Sequence, residues 1–251
     1  MTENLREIVL GVLTAGITAV LGWSARTYLW RRRLRRTQRF FGLPDNAQCL
    51  LIVNRDPGTH ERAVSRGDVF ALLELSALIK DCGAQADVVA HDEAQRGLGE
   101  HTEFCIGGPA SNVRTAAHLR SLLPGVTVDV DPEPGPQRVS FTLAGETYRM
   151  NKGSVEYVLL ARLTGGQDAD RRPVFLVSGQ TSVANQAAAR HLARNHRQLA
   201  RKYGRDGNFC LLLQVLNSEA YGPDAVELVA DVTRAARTSP APARRDDTVE
   251  A

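Results

Sequence analysis

Residues 106–112 read IGGPASN and follow a short apolar run. Glycines at such a place let a phosphate or carboxylate approach the backbone closely, and the N–H groups of a following helix favour an anion. Gly107 and Gly108 supply the approach, while Ser111 and Asn112 suit either a helix cap or a donor to a ligand. A second stretch, VSGQTSVANQ at 177–186, has the same character and offers Ser178, Gly179, Gln180, Thr181 and Asn185. Laid side by side, Gly108 meets Gly179, Ser111 meets Ser182 and His118 meets His191. Neither stretch is a GxGxxG or a P-loop, so a nucleotide or sugar phosphate is expected only as a chemical class. The plainer reading is two capped helix starts.

Carboxylates at other strand ends supply the catalytic candidates. Glu219, in LNSEAYG, is placed to act on a sugar or as a general base, and Asp92, in HDE, is placed to hold a ribose hydroxyl or to do the same work. Asn54 opens a long polar loop, NRDPGTHERAVSRGD, of the length that often binds or covers a ligand. There is no GxSxG and no HExxH. Cys49, Cys82, Cys105 and Cys210 are widely spaced without a metal-binding pattern, which implies buried free thiols and no metal. His191 and His196 are five residues apart, not the four that place two ligands on one helix face, so the arginine-rich stretch around them reads as a solvated face. A partner surface or a contact with anionic headgroups is the alternative. The residues do not identify a cofactor.

These residues must be positioned by alternating elements. CLLIVNR, ADVVAHD, EFCIGG, VTVDV, SVEYVLLARL, PVFLVSG, NFCLLLQVL and AVELVADV have strand character, and RVSFTLAGETYRM reads as a hairpin about Ala144 and Gly145. DVFALLELSALIKDCG, SNVRTAAHLRSLL and a long segment from Ser182 to Gly204 are helical. Apolar strands joined by helices imply an α/β fold, Rossmann-like or flavodoxin-like, with a mainly parallel sheet and a mixed antiparallel edge. In such sheets ligands bind beyond the carboxyl ends of the strands, where both glycine-bearing loops would lie.

One transmembrane helix is expected before this domain. Residues 8–25, IVLGVLTAGITAVLGWSA, carry no charge and reach the length of a span. Trp23, Tyr28 and Trp30 cluster at its end, followed by RRRLRR at 31–36. Aromatic rings favour the interface, and positive charge is retained on the cytoplasmic side, so the N-terminus is expected outside and the body in the cytoplasm, at the cell membrane. A cleaved signal peptide is less consistent, because its charge would precede the apolar run. The expected domains are an anchor over 1–30, a basic linker over 31–44, an α/β domain over 45–237 and a disordered tail over 238–251. The net charge is +3, of which the arginine block supplies five, leaving the remainder at about −2 and arguing against a body that binds nucleic acid.

The anchor, the arginine block and the strand-end loops resemble single-span, membrane-anchored bacterial proteins with a Rossmann-like cytoplasmic domain of the nucleoside deoxyribosyltransferase-like or TIR-like kind. That resemblance implies a nucleotide ligand over residues 45–235 and departs from the enzymes of those groups in lacking a catalytic glutamate on a helix lining the cleft. Three functions remain open: a ligand-binding sensor or signalling module, a nucleotide-processing hydrolase or glycosidase-like enzyme, and an interaction module that meets a protein partner or another copy of itself without any ligand.

Overall fold

A computed structural model describes residues 2–54, 63–94, 97–131, 139–165 and 171–239, with the backbone alone described over 2–14. In chain order the elements are α1 (Thr2–Phe41), β1 (Gln48–Val53), α2 (Arg66–Asp81), β2 (Gln85–Ala90), β3 (Thr102–Ile106), α3 (Val113–Leu122), β4 (Val126–Val130), β5 (Val139–Leu143), β6 (Glu146–Arg149), β7 (Val155–Leu163), β8 (Val174–Gly179), α4 (Ser182–Tyr203), β9 (Phe209–Leu216), α5 (Ser218–Tyr221), β10 (Val226–Asp231) and α6 (Thr233–Arg237).

Seven strands form one sheet in the order β10-β9-β7-β8-β3-β1-β2. β2, β1, β3 and β8 pair in parallel, whereas β7 is antiparallel to both β8 and β9, and β10 to β9. Two reversals bring β9 back to the common direction, so five of the seven strands end at one edge of the sheet. The hairpin about Ala144 and Gly145 forms as expected, but it does not extend that sheet. With β4 it makes a separate three-stranded antiparallel sheet.

Period-two burial sorts the strand residues onto two faces. Cys49, Leu51, Val53, Phe104, Ile106, Phe175 and Val177 meet α2, α4 and the end of α1 in one core. Leu50, Ile52, Cys105, Val174 and Leu176 face the other way, against Leu119 of α3, Phe141 and Leu143 of the small sheet, and Ala236 of α6. Strands covered on both faces explain the near-continuous apolar runs in the sequence.

All four cysteines are free and buried. Burial pushes the thiols of Cys49, Cys82 and Cys210 up to about 12 and that of Cys105 well above its ordinary value. The thiolate is the reactive form. A disulfide reagent at neutral pH is therefore expected to titrate none of the four in the folded protein and all of them in denaturant.

The N-terminal segment is one helix of 40 residues, about 60 Å long at 1.5 Å per residue. It continues through the stretch expected as a linker, and Phe40, Phe41 and Leu43 are fully buried, so the core of the body begins before residue 45. Phe41 packs against Phe104, Phe175 and His196, and Phe40 lies near Phe209. The helix end is fastened by Arg162 of β7, itself 2 % exposed, which donates to the carbonyls of Phe40 (2.9 Å) and Gly207 (3.0 Å) and lies over the Phe40 ring. Burial lowers its pKa to about 10, still charged at neutral pH. Arg162→Met keeps apolar volume but strands two carbonyls, one at a helix terminus, and is expected to cost about 2–4 kcal/mol in urea denaturation.

Among the described residues no helix is long and apolar enough to cross a membrane. Residues 8–14 of the expected span lie outside the described side chains. From residue 15 to residue 33 the helix is exposed but for the half-buried Thr27, with Ile17, Val20, Leu21, Trp23, Tyr28, Leu29 and Trp30 bare to solvent. Residues 55–62 of the long loop and 240–251 of the expected tail also lie outside the described residues.

Candidate functional site

The strand order places β1 between β2 and β3, so the chain leaves β1 to one side and later returns on the other. A crevice opens at such a switch point beyond the carboxyl ends of the two strands. Asn54 stands at the end of β1 and Gly107 at the end of β3. Gly107 has a φ of +108°, which a side-chain-bearing residue rarely adopts. A Cβ there would meet Asn54 Cβ and Cγ at 2.9 Å, so the glycine is what lets Asn54 lie across the loop. Asn54 Nδ2 donates to Ser111 Oγ at 3.3 Å. Its Oδ1 is buried and meets no partner among the described residues, although the side chain is only 8 % exposed. A buried amide oxygen without a donor costs free energy, and a ligand hydroxyl or amine would remove that cost.

Because β3 and β8 are adjacent and parallel, the two glycine-bearing loops share one edge. They nearly touch: a Cβ on Gly108 would come within 3.3 Å of the Gly179 carbonyl oxygen. α3 begins directly behind the first loop, capped by Asn112, which accepts from Thr115 N at 3.0 Å and donates to the Ile106 carbonyl at 2.9 Å. His91, at the end of β2, accepts from Val113 N at the start of the same helix. α4 begins behind the second loop, capped by Thr181. Two helix starts therefore direct their positive ends at one edge, and a negative group there would be stabilised.

The candidates divide by what their side chains already hold. Asn185 is engaged at both amide atoms, accepting from Gly179 N and donating to Asp68. Gln180 accepts from Tyr157 N and donates to the carbonyls of Val139 and Tyr148, which fastens the small sheet to the large one. Thr181 donates to Glu156 and accepts from Ala184 N. Asn112 is likewise committed to its cap. These four shape the loops, with every side-chain N and O atom already in at least one hydrogen bond within the protein. Asn54, Gly107, Gly108 and Gly179 remain at the opening, together with Ser111, whose hydroxyl donates to the Gly108 carbonyl at 3.3 Å, and among the described residues the fully buried Ser178 hydroxyl has no partner.

The carboxylates are not brought together. Asp92 and Glu219 are both exposed. They follow β2 and β9, five strand positions apart, hence about 24 Å at 4.8 Å per strand. Paired carboxylates acting on one glycosidic bond stand about 5–9.5 Å apart, so these two cannot share a substrate bond. Glu219 also lies three strands from β3, about 14 Å from the crevice.

Three buried acids, none of them among the residues expected from the sequence, also shape this region. Glu156 is 2 % exposed and accepts from Gly153 N, Ser218 Oγ and Thr181 Oγ1, tying three top-edge segments together. Asp68 accepts from Ser65 Oγ and Asn185 Nδ2, joining the starts of α2 and α4. Glu103 is fully buried and held by Arg114 (2.5 and 3.0 Å) and His118 (2.9 Å). Burial opposes its charge, but hydrogen bonds from His118 and Arg114 outweigh that and keep its pKa below the ordinary value. Glu103, Cys105 and His118 offer atoms within 4.8 Å of one another, the spacing of metal ligands. The Arg114 guanidinium already occupies the carboxylate and the Cys105 thiol stays protonated, so the cluster is a buried ion pair rather than a cation site. The signal for Glu103 and Glu156 was an acid inside a strand otherwise apolar on both faces, EFCI and VEYVLL.

No family model and no curated protein matches the chain, so its site rests on its own chemistry.

Proposed function

We propose that this protein is a membrane-anchored domain that binds a nucleotide or sugar phosphate at the β1/β3 crevice and serves as a sensor or signalling module. The observation that carries the reading is the buried, unpartnered Asn54 Oδ1 beside Gly107 and Gly108 at a switch point faced by two helix starts. An amide oxygen asks for a hydroxyl or amine, and helix starts ask for an anion. A sugar phosphate carries both groups within one small molecule.

Binding without turnover is favoured over catalysis by what surrounds the crevice. The nearby acids Asp68 and Glu156 have their oxygens in hydrogen bonds, and Glu219 and Asp92 stand strands away. The anchor is supported by the exposed apolar surface of α1 from Ile17 to Trp30 and by the arginine block beyond it. The end of α1 docks at Thr102, whose hydroxyl donates to the Phe41 and Gly42 carbonyls beside the starts of β3 and β8, so the crevice lies at the far end of the body from the membrane.

The test is titration of the full chain with nucleoside monophosphates, dinucleotides, cyclic nucleotides and sugar phosphates, in the wild type and in Asn54→Asp. Saturable binding that Asn54→Asp weakens, with the compound recovered unchanged by chromatography, supports the reading. Product formation would replace the sensor by an enzyme, and binding indifferent to Asn54 would move the site elsewhere.

A further inference from the structure

A second feature lies at the opposite end of the body. The last turns of α1 run alongside the C-terminal half of α4 and leave a groove of 620 Å³ between them. Arg33 and Arg36 enter it from α1, Arg197 and Arg201 from α4, and Arg205 from the segment after α4. All five are exposed, and among the described residues no acidic side chain lines the groove and none of the five is ion-paired. The contrast lies on the same helix: Arg190 and Arg194 are paired to Glu74 and Asp224, and Lys202 to Asp231. α4 therefore neutralises its charges where it meets the body and leaves them uncompensated where it meets α1.

Five like charges repel one another, and an anion held between guanidinium groups that converge from three segments would relieve that repulsion through charge-assisted hydrogen bonds. Two further facts indicate its source. Trp30 precedes Arg33 by three residues, about 4.5 Å along the helix, so the groove begins where the exposed apolar and aromatic surface ends. A second basic hollow, lined by Tyr28, Arg31, Arg32, Arg35 and Arg39 among others, continues it round the helix and shares Arg36 and Arg205. Phosphates arriving on lipid headgroups would meet the guanidinium groups at that level, and basic pockets beside a span bind such headgroups.

We propose that the groove between α1 and α4 is a binding site for the phosphate headgroups of anionic lipids, which hold the body in a fixed pose against the membrane. This rests on the anchoring proposed above. An arginine block on α1 alone would respond to any negative surface. The arginines of α4 and Arg205 belong to the body and reach the headgroups only if the body is docked, so they separate the two ideas.

The experiment uses the full chain reconstituted into vesicles of phosphatidylcholine alone, or with about one-third phosphatidylglycerol, and follows amide hydrogen exchange over 196–205. Exchange there is expected to slow by at least about fivefold with the anionic lipid, the effect of roughly one arginine at a charged surface. Replacing Arg197, Arg201 and Arg205 together by glutamine removes the protection. Replacing the exposed Arg120, Arg149 and Arg234 by glutamine changes the net charge equally and leaves it intact. Equal exchange in both vesicles, with the protein resisting carbonate extraction, overturns the groove while the anchor stands. Failure to join either vesicle overturns both. Protection reproduced in solution by inorganic phosphate or glycerol 3-phosphate overturns the lipid source and leaves a site for a free anion.

Discussion

Glu103→Ala is expected to destabilise the folded body by about 3–5 kcal/mol, the cost of removing one member of a buried ion pair. Glu103 is fully buried on β3, while Arg114 and His118 reach it from α3, so the mutation leaves a guanidinium and an imidazole beside an empty space lined by the second core. Glu103→Gln keeps the shape and one acceptor, and should cost less. Because hydrogen bonds hold the folded carboxyl below its ordinary value of 4.5, the charge contributes stability that is fully present above that pH and is lost as pH falls through the lowered value. Urea midpoints measured between neutral pH and about pH 3 should therefore converge for wild type and Glu103→Gln in acid. Parallel curves across the whole range would show that the carboxylate contributes nothing through its charge.

Gly108→Val is expected to weaken ligand binding by at least tenfold, about 1.4 kcal/mol, while changing stability by less than about 1 kcal/mol. The position suits the test because its backbone φ is ordinary, unlike that of Gly107, and an added Cβ meets only the Gly179 carbonyl, at 3.3 Å. The two methyl groups beyond it would fill the gap between the loops. Gly107→Val changes more at once, since it strains the backbone and displaces Asn54, so loss of binding there would not separate fold from site. Titration and urea denaturation on the same Gly108→Val sample give both readings. A large loss of stability would mean that the loops are packed against each other with no crevice between them.

Much of this arrangement is legible in the sequence because strand and helix periodicity is local. The long helix from Ser182, the hairpin about Ala144 and the strand-loop-helix units after Ile106 and Val177 each follow from spacing and stop signals. The placement of both glycine loops at one edge follows from the rule for parallel strands. What is not legible depends on partners remote in the chain. Asn185 and Gln180 look like free donors until Asp68, Val139 and Tyr148 are brought to them from 117, 41 and 32 residues away. The small sheet splits from the large one because Phe141 and Leu143 cover the second core, a tertiary fact that the alternation of the hairpin does not carry. RRRLRRTQRFF reads as a linker by charge, yet the same helix buries Phe40 and Phe41, since Arg162 and the aromatic cluster await them 122 residues on.

The measurement that bears most directly on the central claim is the melting temperature of the full chain against nucleotides, dinucleotides, cyclic nucleotides and sugar phosphates, with Gly108→Val run beside the wild type. A compound at a hundred times its dissociation constant adds about 2.7 kcal/mol of stability. The account predicts a clear upward shift for at least one phosphate-bearing sugar, absent in Gly108→Val and absent for the corresponding nucleoside without phosphate. No shift for any member of the panel, or an equal shift in Gly108→Val, would contradict a ligand site at the β1/β3 crevice.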